Sequence, residues 1–357
     1  MINNNRTIEN AYNMLRYLYS ELQGKRFRNI DITEINTLDD LYALIISRWC
    51  ASLAKEGLYK EYVSVENEEM TSPRGQISIQ ETLSKQTQIR GALICSYDEL
   101  SENIYINHIL KGTLQYILFD NKIDKMLKTE TKKAIQLFNG VEYTDINFVQ
   151  WKSIKFNNSN MRYKHLMELC NAYVTEHKLE NQLELNDDKR LYLLFKKQII
   201  KWFKQVYGKD DNVDLYEVAY TSVENEPQFE VQLLKNQKIV LISNENQALM
   251  ISIRLIDEHI MDNVKLKRKQ MEEMVFHMRE YRKLYKIKPS SCIFYVNTDK
   301  NKLNIEPLTV NVIDDYAIGE STIDIHDQWR FIENKLKDAY KYFIFRGKKD
   351  KNKKIIK

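Results

Sequence analysis

Glycine and proline are scarce in this 357-residue chain, 9 and 4 respectively, which leaves little room for long flexible linkers. No uninterrupted apolar run approaches the roughly 20 residues that a membrane-crossing helix needs. The first residues, MINNNRTIENAYNML, lack the basic, apolar, small-residue order of a signal peptide, so the expected place is the cytoplasm, away from membranes. Cys50, Cys95, Cys170 and Cys292 stand far apart and form no CxxC pair, the pattern of reduced, buried thiols rather than of a disulfide frame or zinc site. The six histidines have no metal-ligand spacing, and no metal ligand is assigned among them. No Walker A sequence or glycine-rich phosphate loop occurs, so nucleotide binding is expected of a partner and no cofactor of this chain itself.

What is present is a globular composition, 43% hydrophobic and 29% charged, on a chain long enough that two domains are expected rather than one. The net charge of +4 is mild, and clustering matters more than the total. One basic cluster is Lys265, Lys267, Arg268 and Lys269. The other is the tail from Arg346 to Lys357, with seven basic residues and one acid.

Apolar residues at Ala11, Met14, Leu15 and Leu18 predict an amphipathic helix over 8–21, and a second is predicted over 38–53, with Asp39 and Asp40 in its first turn and Gly57 as its stop. The segments YKEYVSVE and GQISIQ read as short strands around a turn at Thr71, Ser72 and Pro73. Gly75 suits that turn because it can take positive φ, and Ser101 reads as the N-cap of a helix over 103–119. Helical spacing continues over 127–138 and 162–206, with the polar patch FNNSNMRY (156–163) as the expected boundary. Strands then dominate: PQFEVQLL, QKIVLIS and ALMISIRLI, a helix over 267–284, and SCIFYVN, an α/β core.

The ordered pieces NAYNMLRYLY (10–19), GLYKEY (57–62), PRGQI (73–77), CSYDELSENIYINHILKGTL (95–114), KRLYLLFKKQIIKWF and DQWRFIENKL resemble the McrC family, the partner subunit of the McrB-type AAA+ GTPase in modification-dependent restriction. The resemblance implies an N-terminal region that engages a hexameric GTPase ring and stimulates it, followed by a nuclease domain of the PD-(D/E)xK type. Tyr59, Arg74, Asp98 and Glu99 are the partner-facing candidates, although turn and cap roles also explain them.

A PD-(D/E)xK centre needs a carboxylate on one strand, a second on the next, and a lysine two residues on, because residues i and i+2 share a face and the acids hold Mg²⁺. Laid on the family hairpin, this chain has Lys238 at the first position, Ser252 at the second and Arg254 at the lysine. A different register puts Gln232 first, with Ser243 and Glu245 following, and does not restore the set. A lysine in place of an acidic ligand repels a divalent cation by about 4 kcal/mol per unit-charge pair at about 4 Å, even at an effective dielectric of about 20. Relocated acids would have to come from Glu230, Glu245, Asp257 and Glu258.

The expected fold is α+β: a mixed helical and small-β N-terminal domain (1–160), a helical block plus restriction-endonuclease-like domain (161–345), and the basic tail (346–357). The expected function is a McrC-like subunit of a GTP-dependent DNA restriction complex, nuclease-inactive, with Lys238, Arg254, Lys265, Lys267, Arg268 and Lys269 as DNA contacts. Its partners would be an McrB-like GTPase hexamer, double-stranded DNA and a separate nuclease subunit, with GTP held by the ring. The alternatives are an active endonuclease, the one case requiring Mg²⁺, and a stand-alone DNA-binding module.

Overall fold

The computed structural model describes residues 2–24, 27, 30–183, 187–207, 214–218, 239–244, 247–255, 264–298 and 308–352. Helix α1 (Ile2–Leu18) buries Ile8, Ala11, Tyr12, Met14 and Leu15, the stripe its spacing predicts. Residues 1–34 group with 185–357 in one unit; residues 35–184 form the other.

In the unit of residues 35–184, α2 (Leu38–Glu56) is the central element. Thr37 caps it by accepting the Asp40 N–H at 3.1 Å, Asp39 and Asp40 sit at the positive end of the helix dipole, and Gly57 ends it at φ +100. Its residues are buried on nearly every side, which marks a core helix. Strands β1 (Glu61–Met70) and β2 (Gln76–Ile77) then flank β3 (Leu93–Ser101), both antiparallel to it.

GQISIQ is therefore only briefly a strand, because the chain turns at Ser78 into α3 (Ile79–Ser84). The Thr82 hydroxyl explains the switch: it donates to the Ser78 carbonyl at 2.7 Å and accepts the Ile94 N–H at 3.0 Å, docking a helical turn on β3. Ser101 ends β3 instead of capping a helix. Its hydroxyl accepts the Asn103 N–H at 3.0 Å, and α4 (Tyr105–Phe119) begins after Ile104.

Helices α4, α5 (Lys125–Gln136) and α6 (Lys164–Leu183) complete this unit around α2. Ser47 and Thr131 share a buried hydrogen bond of 2.9 Å between α2 and α5, and Arg48 pairs with Glu130 at 2.7 Å. The patch expected to separate domains at 160/161 lies inside this unit. Its polarity serves a local turn, in which the Asn157 and Asn160 side chains each accept the other's N–H, and Tyr163 is fully buried with its hydroxyl accepting the Tyr59 N–H.

Between α4 and α6 lies a buried ion pair, His177 Nε2 to Asp120 Oδ2 at 2.8 Å, with side chains 10% and 6% exposed. The Tyr173 hydroxyl donates to the same carboxylate oxygen at 3.2 Å, and Tyr116 meets His177 Nδ1 at 3.3 Å.

In the other unit, α1 lies against α7 (Asp187–Tyr207), where Lys201 Nζ donates to the Leu18 carbonyl at 2.6 Å. Strands β4 (Asp214–Val218), β5 (Ile239–Asn244) and β6 (Gln247–Leu255) form an antiparallel meander. Helix α8 (Val264–Tyr285) crosses to β7 (Pro289–Asn297), parallel to β6, as parallel pairing requires. Strands β8 (Thr309–Ile313) and β9 (Tyr316–Asp324) follow, giving the order β4-β5-β6-β7-β9-β8, and α9 (Trp329–Asn352) closes the unit.

Strand β6 is buried on both faces. Ala248 and Met250 join Met274, Val275 and Met278 of α8 in one core, while the alternate residues Leu249, Ile251 and Ile253 are equally buried and α7 and α9 also contact the strand. The first half of the basic tail continues α9 as far as Asn352. All four cysteines are buried and unpaired, and no helix among the described residues is long and apolar enough to cross a membrane. Segment PQFEVQLL lies outside the described residues.

Burial alone would raise the Asp120 carboxyl, but hydrogen bonds from His177 and the Lys122 N–H outweigh it and hold the group below its ordinary range. The same bond raises His177 against the opposing effect of burial. The carboxylate's contribution is complete above the unfolded value near ~3.9 and is lost as pH falls through its depressed folded value. The imidazolium's is complete below the unfolded value near ~6.5 and is lost as pH rises through its raised one. Asp120→Asn should therefore destabilise the protein by about 3 kcal/mol at mildly acidic pH. In urea unfolding across pH, the gap from the parent should narrow at alkaline pH, and a gap that does not change with pH would contradict the pair.

Candidate functional site

The three-stranded sheet of residues 61–101 departs from ordinary amphipathic design. Strand β1 is exposed along almost its whole length rather than on alternate residues. Tyr62, Ile79 and Ile89 are 76%, 69% and 76% exposed, and Ile77, Leu83 and Leu100 are exposed as well. Large apolar residues gathered on one small module, with no cover among the described residues, are characteristic of a surface that meets another macromolecule.

A cleft of about 640 Å³ opens on this sheet, and Arg74, Asp98 and Glu99 all line it. Gly75 makes that possible. It sits at φ +63, and a Cβ there would lie 2.3 Å from the Ser96 carbonyl oxygen and 2.6 Å from Tyr97 Cβ, so only glycine lets the Pro73–Arg74 turn lie on β3. Acids surround it. The Tyr97 hydroxyl donates to Glu68, which raises its pKa, and Arg90 pairs with Glu69 at 2.9 Å.

Tyr59 is not part of this cleft. Its carbonyl accepts Asn107 Nδ2 at 2.9 Å, its N–H donates to the Tyr163 hydroxyl at 2.7 Å, and its ring lies 6.2 Å from that of Tyr163. It anchors the base of the sheet. Asn107, missed in the sequence, is fully buried and also donates to the Glu102 carbonyl at 2.7 Å; the clue was a lone amide within the apolar helix YINHILKGTL.

The second candidate region lies on β6. Ser252 and Arg254 share the face turned toward α8, as period two requires, and Ser252 pairs in register with Ile239. Arg254 is only 5% exposed, and its guanidinium donates to Glu273 Oε2 on α8 and to Ser252 Oγ, both at 3.2 Å. His277 Nε2 stands 3.9 Å from the other Glu273 oxygen, and the neighbouring His277 imidazole, then Arg254, hold the Glu273 carboxyl below its usual range despite partial burial. An arginine so placed is committed internally and is not presented to a phosphate backbone, contrary to the expectation drawn from sequence.

Magnesium requires converging oxygen ligands, and a serine beside an ion-paired arginine does not fit that need. Among the described residues no group of three His, Cys, Asp or Glu could hold a metal ion. Lys238, Gln232, Glu230, Glu245, Asp257 and Glu258 lie outside the described residues; Ser243 is placed on β5, paired with Ala248 and Asp214.

Of the basic run, Lys265 falls in the first turn of α8, whose opening residues include no acid. Lys267 is half-buried with its ammonium 6.0 Å over the Tyr295 ring. Arg268 pairs with Glu272 at 3.1 Å on the exposed side, and Lys269 is exposed.

Comparison with known proteins gives a consistent result. The family described as McrBC 5-methylcytosine restriction system component matches residues 2–251. The chain is similar to the type IV methyl-directed restriction enzyme EcoKMcrBC of Escherichia coli K12, with 18% identity over 363 residues, 94% of this chain and 98% of that one. Among solved structures it is similar to a chain of the Thermococcus gammatolerans assembly of McrB AAA+ hexamers with bound McrC, at TM-score 0.50 and 13% identity over 90% of this chain and 70% of that one. A chain of the McrBC complex from the same organism matches at TM-score 0.38 and 17% identity over 54% and 57%.

The Arg254 pair is asymmetric, which makes it testable. Glu273→Gln leaves a guanidinium buried without its counter-charge and should cost about 2–3 kcal/mol. Arg254→Met removes the buried charge itself, and Glu273, 40% exposed, keeps access to water, so the loss should be nearer about 1 kcal/mol. Urea midpoints of the two variants settle the order, and a larger loss for Arg254→Met would refute the assignment.

Proposed function

Since this chain belongs to the McrBC 5-methylcytosine restriction system component family, we propose that it is the McrC-like subunit of such a system: it engages an AAA+ GTPase ring through the exposed sheet of residues 61–101 and couples the ring's GTP hydrolysis to events on DNA. The observation that carries this reading is the module's uncovered apolar surface beside a cleft lined by Arg74, Asp98 and Glu99. Apolar side chains such as Ile79 and Ile89 gain most when a partner removes them from water, and the charges beside them fix orientation.

The αβββαβ order of α7, β4, β5, β6, α8 and β7 supports a restriction-endonuclease-like core. Within that reading the centre is nuclease-inactive. The acidic position falls on Ser252, and the lysine position on an arginine already neutralised by Glu273. A separate subunit would then cut. DNA contact falls instead to the first turns of α8, which carry Lys265, Lys267, Arg268 and Lys269 and no acid in the opening turn, a composition that favours phosphate. Cations at a helix N-terminus oppose the dipole, and a bound anion would relieve that cost.

Ile79→Asp with Ile89→Asp should raise the concentration needed for half-maximal stimulation of GTP hydrolysis by its AAA+ partner at least about tenfold, with the melting temperature unchanged because both residues are exposed. Unaltered stimulation would remove this sheet from the interface. Reversing Lys267, Arg268 and Lys269 to Glu should lower the salt slope of DNA binding by about 0.9 per lost phosphate contact, and an unchanged slope would place DNA elsewhere. Mg²⁺-dependent cleavage by the assembled complex, lost when Glu230 or Asp257 is replaced, would overturn the inactive assignment.

A further inference from the structure

A half-open cavity of about 350 Å³ lies between α1, α7 and the turn from β9 into α9, within the unit formed by residues 1–34 and 185–357. That volume is near the lower end of the range for small-ligand clefts. Phe195 and Ile332, both buried, contribute apolar wall; Glu9, Gln198, Asp327 and Trp329 bring the chemistry.

Gln198 is only 6% exposed, and its amide makes no hydrogen bond among the described residues. The amide opens onto the cavity, where a ligand that bonds to it takes the place of water. The rim is firm. Asn10 Nδ2 donates to the Ile325 carbonyl at 3.2 Å, joining α1 to the turn, and the Trp329 ring is braced by Tyr17 at 5.9 Å and Trp202 at 6.4 Å.

From this arrangement we infer that the cavity receives an arginine side chain of a partner protein. Two of its described lining residues are carboxylates and none is lysine or arginine, so it favours a cation and disfavours phosphate. A guanidinium is a planar donor with no acceptor, which matches the two carboxylates and the Gln198 carbonyl, and it stacks on indole. An ammonium is more strongly hydrated and lacks the planar fork. A flipped nucleobase would carry its phosphodiester into an acid-lined space, and free arginine would bring its own carboxylate there. An arginine within a peptide carries neither penalty. Asp327 also acts electrostatically on Lys335, so Glu9 is the cleaner acid to test.

The full-length chain would be titrated with acetyl-Gly-Arg-Gly-amide, its citrulline counterpart, free L-arginine and cytidine, using calorimetry and tryptophan fluorescence. The arginyl peptide should bind saturably, at least about tenfold more tightly than the uncharged citrulline peptide. Glu9→Gln should weaken it about fivefold or more at unchanged melting temperature, and Gln198→Leu should do the same. If Gln198→Leu fails to fold, the exposed Glu9→Gln variant decides. Equal binding of the citrulline peptide, tighter binding of free arginine or cytidine, insensitivity to Glu9→Gln, or no saturable binding of the arginyl peptide would each overturn the proposal.

Discussion

A guanidinium on a strand buried from both sides must be neutralised inside the fold, and Glu273 does this for Arg254. The constraint reaches across the unit. It fixes the register of α8 over β6, because Glu273 must stand above Arg254, and it sets the face on which Met274, Val275 and Met278 meet the sheet. A catalytic metal centre makes the opposite demand, uncompensated carboxylates converging on an open cleft. At this strand end the Arg254–Glu273 pair answers the first demand.

The exposed sheet of residues 61–101 follows a different logic. A strand usually rests one face on a core, but β1 is held by backbone pairing to β3 and by the hydrogen bonds of Tyr59 to Tyr163 and Asn107 at its base. Its side chains are therefore freed from packing, and their identity can answer to a partner. Gly75 belongs to the same design, since the close approach it allows puts Arg74 on the cleft with Asp98 and Glu99.

Legibility in the sequence follows from how local the deciding interaction is. The start and stop of α2 were readable because Thr37, the paired acids and Gly57 act within one turn of the helix ends. The end of β2 was not, because the Thr82 hydroxyl that draws Ile79–Ser84 into a helix is satisfied by Ile94 on another strand. Ser101 misled for a similar reason: its bond to the Asn103 N–H looks like a cap in sequence but closes a turn. The patch at 156–163 suggested a domain boundary by polarity alone, whereas its asparagines satisfy each other and its last residue, Tyr163, is core. Arg74, Asp98 and Glu99 were identified and do share a cleft. Arg254 was identified as a position but not as half of an ion pair, since Glu273 lies 19 residues away on α8.

Charge then divides the sheet-bearing unit into regions that one ligand cannot serve. The opening turns of α8 concentrate Lys265, Lys267, Arg268 and Lys269 at the positive end of a helix, which favours polyanions. The cavity between α1 and α9 presents Glu9 and Asp327 with no lysine or arginine among its described lining, which disfavours them. Arg254 on β6 is already paired with Glu273. Nucleic acid and a cationic protein segment would thus meet different surfaces of the same unit, and occupancy of one need not displace the other.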